Sequence, residues 1–194
     1  MKEKKEKKKF GLILFLVFIM IGTSFSFVFF GFSPATEKVK YNGYSFTFAP
    51  SQNIWVAKIN GKQAAFSFLP KDVEGISAFE DISNRLSGKF EIDATSDSNS
   101  TYKEAIALAQ HQMGLTLSAY NIYLRKGFTT NNTFNLPIIT CDDATANVPV
   151  IYFRYGNATN IHIEDNCIIA EASANIDFIK VKDKLLYIIL GVMK

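Results

Sequence analysis

Two cysteines and four carboxylates are the residues of this chain whose types and spacing could do chemistry together. Asp142 and Asp143 directly follow Cys141. Glu164 and Asp165 lie just before Asn166 and Cys167. A bridge between Cys141 and Cys167 would bring them toward one end of a sheet, where they could bind calcium or serve as acid and base. Nothing in the sequence fixes their separation, and solvated strand ends are the simpler interpretation. We therefore assign no catalytic, metal or cofactor residue.

The cysteines themselves favour a structural disulfide. The chain has two cysteines, Cys141 and Cys167, and their spacing is not that of a redox Cys-x-x-Cys motif. Closing a loop of this length stabilises a fold by about 3–4 kcal/mol on the chain-entropy model. A reactive thiol is the alternative interpretation.

The histidines and the known site motifs give little support to an enzyme. His111 falls in a predicted helix beside Leu108 and Leu115, where it is expected to pack, and His162 is expected at an exposed strand position. The sequence has no glycine-rich phosphate loop, nucleophile elbow or zinc-protease motif. An enzyme is thus less favoured than a binding or assembly protein.

The N-terminal segment predicts a membrane anchor. Residues 1–9 contain six lysines and two glutamates, and residues 10–32 contain no charged side chain. A helix of that length spans about 34 Å, enough to cross a hydrocarbon core of roughly 30 Å. Lysines resist translocation, so the sequence predicts a cytoplasmic tail, a single-pass signal-anchor in the bilayer and, after a linker at 33–36, an extracytoplasmic domain.

Two other uses of this segment stay open. A cleaved signal peptide could end near Ser33-Pro34-Ala35 or Gly22-Thr23-Ser24, although the apolar run exceeds the usual 7–15 residues. The start also faintly resembles a type IV pilin-like leader, with cleavage after Gly11 to free a filament-forming helix. Phe10 stands where that pattern has a charged residue, and the early helix lacks an acidic one.

Charge is concentrated in the tail rather than in the domain. The chain has 21 basic and 18 acidic residues, of which residues 1–9 contain six basic and two acidic ones. The remaining residues therefore contain 15 basic and 16 acidic side chains. A nearly neutral domain excludes a nucleic-acid partner, which would require a basic surface. Three Asn-x-Ser/Thr sequons, at Asn99, Asn131 and Asn157, are possible glycosylation sites in predicted loops.

Residues 37–70 are predicted to form a β-meander subdomain. Asn42-Gly43 and Asn60-Gly61 each separate two alternating runs, which is a strong signal for a tight hairpin. The second turn pairs Trp55 with Phe66 and Ala57 with Ala64, so we expect an aromatic cluster on the core face.

Residues 71–194 are predicted to form an α+β domain. A short helix over 77–87, with Phe79 in its apolar stripe, precedes a strand over 89–94 in which Phe90 and Ile92 alternate with polar residues. A polar loop over 95–100 then leads to a helix over 101–118, for which Thr101 and Glu104 have capping-box spacing. A second strand over 119–128 completes a βαβ unit with parallel strands.

The last third of the chain is predicted to pair in antiparallel fashion. Four short strands joined by tight turns are expected, at 136–141, 148–155, 160–163 and 167–172. A C-terminal helix over 176–190 has one apolar stripe that should dock against the sheet.

The patterns "YNGYSFTF", "WVAKINGKQAAFSFLPKDVE", "ITCDDAT…NCII" and "DKLLYIILGVM" resemble a group of uncharacterised single-pass membrane-anchored proteins of archaea. The likeness covers most of residues 36–194, and its motifs are packing and turn patterns. It implies an exported domain without implying an activity. The anchor, the hydrophobic fold and the absence of a recognisable catalytic set predict a cell-surface binding or assembly subunit with an unknown protein or surface partner. An envelope hydrolase and a pilin-like subunit are the alternatives.

Overall fold

The structure is a computed structural model and describes residues 37–193. The predicted lysine-rich tail, transmembrane helix, linker and Gly11 cleavage site lie outside these residues. Glu37–Lys194 form one compact unit. Within the described range, no helix is both long and apolar enough to cross a bilayer.

The N-terminal sheet is the predicted meander. Its four antiparallel strands lie in chain order: β1 (Lys38–Tyr41), β2 (Tyr44–Ala49), β3 (Ile54–Ile59) and β4 (Lys62–Phe66). Asn42 and Gly43 have φ values of 45° and 81°, which suit the type I′ turn that matches strand twist. The register pairs Trp55 with Phe66, so the hairpin prediction is confirmed.

The second sheet is mixed. Its strands are β5 (Glu91–Ser96), β6 (Tyr123–Lys126), β7 (Val150–Tyr155), β8 (Asn160–Glu164) and β9 (Cys167–Ala172), in the order β6-β5-β7-β9-β8. β5 and β6 are parallel, so the βαβ prediction is confirmed. The antiparallel prediction was right for β8 and β9 and wrong for β7, which pairs with β9 in parallel.

The segment predicted as a strand at 136–141 instead runs alongside the end of β6. It makes a single parallel bridge, between Phe128 and Ile138, and then enters a 3₁₀ turn at Cys141–Asp143. β6 is an edge strand of the mixed sheet, and the segment makes only this one bridge beside it, so it does not add a sixth strand.

Two long helices lie between the sheets. The α-helices of the described residues are α1 (Pro70–Val73), α2 (Glu80–Leu86), α3 (Lys103–Ser118) and α4 (Asn175–Ile189). Tyr187 of α4 stacks on Phe66 of the meander with ring centroids 4.2 Å apart, and Thr116 of α3 donates a hydrogen bond to the Ala65 carbonyl. Apolar residues of β5, β7 and β9 complete the same core from the other side.

Because α4 lies between the two sheets, almost all of its surface is buried, including Lys182 and Asp183. The sequence predicted one docked stripe. The meander covers a second face, so that prediction was incomplete.

Several local predictions were wrong at element ends. Phe79 and Phe90 are 67% and 82% exposed, because the helix and the strand each begin one residue after them. Ser96, predicted in the polar loop, is buried at the end of β5. The capping box at Thr101 is absent. Ser100 instead accepts the Tyr102 amide through its Oγ and the Lys103 amide through its carbonyl oxygen, and α3 begins at Lys103.

Candidate functional site

The predicted disulfide is present and lies on the face of the mixed sheet away from the helices. Cys141 and Cys167 are bonded, with Cα atoms 5.1 Å apart. Cys167 is fully buried and packs with a small second core of Ile139, Val150 and Ile169. The bridge thus fastens the long connection between β6 and β7 to strand β9.

The four carboxylates next to the bridge do not converge. Asp143 accepts hydrogen bonds from the backbone amide and hydroxyl of Thr140, and these bonds hold the pKa of Asp143 below its usual value. Glu164 accepts two hydrogen bonds from Arg154, which likewise lower its pKa. Among the described residues, no three His, Cys, Asp or Glu side chains could hold a metal ion. The geometry gives no support to the carboxylate hydrolase.

The histidines do not form a site either. His111 is exposed, together with Leu108 and Leu115, so the packing prediction was wrong: this face of α3 meets solvent rather than a sheet. His162 is half-buried on the edge strand β8, where its Nδ1 lies 2.6 Å from Oδ1 of Asn160.

A pocket of about 440 Å³ opens at the carboxyl ends of β5 and β6, beside the start of α3. We call it the carboxyl-end pocket. Its polar lining is Ser96, Ser98, Lys103, Glu104, Gln110 and Lys126, and its apolar lining is Ala107, Phe128, Phe134 and Leu136. In α/β sheets the carboxyl ends of parallel strands are the common place for ligands, because the loops that follow them diverge there.

The polar side of the pocket comes from the βαβ unit. β5 ends at Ser96, and the chain turns at Asp97, whose Oδ1 accepts the amide of Asn99. On α3, Lys103, Ala107 and Gln110 have the i, i+4, i+7 spacing that places them on one helix face. The unit therefore presents its polar residues to one cavity.

The apolar side comes from the loop after β6. The Asn132 side-chain oxygen accepts the amides of Phe134 and Leu136 and fixes the loop's shape. A Cβ on Gly127 would lie 2.6 Å from the Pro137 carbonyl oxygen, so only glycine permits this close return of the chain. Phe134 is held near Phe128, ring centroids 5.7 Å apart, yet is 65% exposed.

Gln110 is the most informative residue of the pocket. It is 6% exposed, and its Nε2 is the one buried side-chain nitrogen or oxygen between residues 37 and 193 that has no hydrogen-bond partner. More than nine in ten buried polar groups are paired, and leaving one unpaired costs about 1–3 kcal/mol. The part of the fold that the structure describes therefore leaves this amide unpaired.

The pocket carries a net positive charge. Lys103 is exposed and Lys126 is half-buried, and neither takes part in an ion pair within the part of the chain that the structure covers. Glu104 is the one acidic residue of the lining. Two cations thus face one carboxylate.

All three sequons are exposed. Asn99 and Asn131 lie on the two loops that also supply Ser98 and Phe134 to the carboxyl-end pocket, and Asn157 lies in the turn after β7. Their glycosylation stays a prediction.

Sequence reasoning missed the pocket. The βαβ unit was the available signal, because its carboxyl edge follows from the topology, but Gln110 looks like any surface residue of a helix. Comparison of the chain with protein-family models, with curated proteins and with solved structures finds no match.

Proposed function

We propose that this chain is a membrane-anchored protein whose extracytoplasmic domain binds a small ligand in the carboxyl-end pocket. The charge step at residues 9–10 and the uncharged run that follows support the anchor. The Cys141–Cys167 disulfide suits an oxidising exterior.

The observation that carries the binding role is the unpartnered amide of Gln110. A fold with no need of this group would replace it by an apolar residue of similar shape, because a buried donor without an acceptor lowers stability. A ligand oxygen in the adjacent pocket would supply the missing acceptor. This unpaired amide is the support for a binding role.

The lining favours binding over covalent catalysis. Of the pocket residues named above, none is a histidine or a cysteine, and within the described residues the structure shows no hydrogen bond from the hydroxyl of Ser96 or Ser98 to a lysine or carboxylate side chain. Lysines, serines and an amide are groups that orient a ligand through charge and hydrogen bonds.

The binding role is tested with the full chain, labelled with ¹⁵N at its glutamine side chains. Gln52, Gln63, Gln110 and Gln112 give four side-chain amide signals, and a Gln110→Met variant assigns the one of interest. In a screen of small soluble fragments, we expect the Gln110 signal to shift while Gln52 and Gln63, on the meander, do not. A screen in which no fragment moves Gln110, or in which all four signals move together, would contradict the proposal.

The location is tested by protease treatment of intact cells. Because the lysines should remain in the cytoplasm, external protease should remove residues 37–194 and spare an epitope on the N-terminal tail. Loss of both parts only after cell lysis would show that the domain is inside.

A further inference from the structure

We infer that the carboxyl-end pocket takes a small organic anion with an apolar, flat portion, such as an aryl or acyl carboxylate. This inference rests on the proposed function and specifies the ligand class of that same site. It joins three independent features of the pocket: its cations, its buried donor and its aromatic wall.

The cations select an anion. Lys103 and Lys126 line the same pocket without a carboxylate partner within the described range, and Glu104 offsets one of the two charges. The positive end of the α3 dipole adds to this field, since the 16-residue helix begins here without a side-chain cap. An anion entering the pocket gains from both sources.

The buried donor selects an oxygen acceptor. Gln110 lies two turns along α3 from Lys103, on the pocket-facing side of the helix. A carboxylate oxygen that reaches its buried Nε2 would accept a hydrogen bond, and hydrogen bonds to charged acceptors are about twice as strong as neutral ones. The same anionic group therefore satisfies the charge and the amide.

The aromatic wall selects an apolar portion. Phe134 is 65% exposed and Leu136 is 39% exposed, although the Asn132 hydrogen bonds hold their loop in one conformation. Removing the apolar surface of such side chains from water is favourable in free energy, so a ligand that covers them gains affinity. A ring or acyl chain lying against Phe134 and Phe128 would cover them.

The experiment uses three probes on the full chain, with the Gln110 side-chain amide signal as the readout. 4-Phenylbutyrate has both features of the proposed ligand, 4-phenylbutyramide keeps the ring and lacks the charge, and inorganic phosphate has the charge alone. We expect phenylbutyrate to shift the Gln110 signal in a saturable way. Each of the other probes should bind at least about tenfold more weakly, the factor that corresponds to one charge-assisted contact.

Variants then assign the two halves of the probe to the two walls. Lys126→Met should weaken phenylbutyrate binding about tenfold and leave phenylbutyramide binding unchanged. Phe134→Ser should weaken both. Lys71→Met, at an exposed lysine of α1 outside the pocket, is the matched control and should change neither. An unshifted signal from Gln112, a half-buried side chain that accepts a hydrogen bond from the Ser67 hydroxyl, shows that each variant is folded.

Each contrary outcome has a distinct meaning. Equal affinity for the acid and the amide, or no effect of Lys126→Met, would overturn the anionic ligand class and leave the binding role standing. Phosphate that binds as tightly as phenylbutyrate would overturn the apolar portion. If neither the probes nor any fragment of the screen shifts Gln110, the proposed function itself fails.

Discussion

Two buried polar side chains, Asp183 and Gln110, lie on the two central helices, and their surroundings are opposite. Asp183 is fully buried: its Oδ2 accepts the amides of Ser67 and Phe68, each at 2.9 Å, and its Oδ1 accepts a hydrogen bond from Lys182 at 2.5 Å. Gln110 Nε2 has no hydrogen-bond partner within residues 37–193. The fold pairs both oxygens of the Asp183 carboxylate, whereas the Gln110 amide remains available to a ligand.

The Asp183 region shows what a purely structural polar cluster looks like here. It joins α4 to the chain that leaves β4, and Tyr187 strengthens the same junction by donating a 2.6 Å hydrogen bond to the Phe68 carbonyl. Burial raises the pKa of the Tyr187 hydroxyl, so it stays protonated and remains a donor. Asp183, Lys182 and Tyr187 each have a hydrogen-bond partner in this cluster, whereas the Gln110 amide in the carboxyl-end pocket has none within the described residues.

The largest effect should come from breaking the structural cluster. Asp183→Ala leaves Lys182 buried without a counter-charge and two backbone amides without an acceptor, so we expect a loss of about 3–5 kcal/mol in the free energy of unfolding. Urea unfolding of the full chain measures it. Asp81→Ala, at the exposed i,i+4 pair with Arg85, is the control and should cost less than about 1 kcal/mol. Equal losses for the two variants would show that Asp183 does not hold the sheet to the helix.

Removing the disulfide should have the next largest effect. The bridge spans a sequence separation of 26, and replacing both Cys141 and Cys167 with alanine should lower the free energy of unfolding by about 3 kcal/mol. A reductant should destabilise the natural chain by a similar amount and leave the double variant unchanged. A natural chain that is insensitive to reductant would mean that the bridge is not formed in solution.

A surface ion pair should matter least, and its effect should depend on pH. Hydrogen bonds from Arg154 lower the pKa of Glu164 below its ordinary value of 4.5. Because the folded-state pKa is lowered, the pair stabilises the fold above the unfolded-state pKa, and this contribution is lost as pH falls through the folded-state pKa. Arg154→Gln should return the Glu164 pKa toward its ordinary value and cost less than about 1 kcal/mol at neutral pH. An NMR titration that finds the same Glu164 pKa in both chains would contradict this account.

Local signals made much of the fold predictable. Asn-Gly turns specify their hairpins because few residues adopt positive φ at both turn positions, and the β5-α3-β6 unit follows from two alternating runs around a helical one. The parallel pairing of β7 with β9 was not predictable in this way. It requires β8 to be passed over and placed at the edge, and packing against distant elements decides that order.

The site was less predictable than the fold. The disulfide followed from the count of cysteines, but the carboxyl-end pocket joins Ser96, Gln110, Lys126 and Phe134, which are far apart in the sequence. A glutamine in a helical segment does not by itself indicate a binding site. Gln110 becomes a candidate only because the fold places it beside the loop after β6. The burial of Lys182 and Asp183 was missed for the same reason, because it depends on two sheets closing over one helix.

The most direct test of the central claim is the effect of Gln110→Met on stability and binding together. Methionine has a similar shape and no unpaired donor, so the free energy of unfolding should rise by about 1–3 kcal/mol. Phenylbutyrate binding, followed through saturation transfer to the ligand, should weaken at least about tenfold. A variant that is less stable than the natural chain and still binds phenylbutyrate would show that Gln110 serves the fold rather than a ligand.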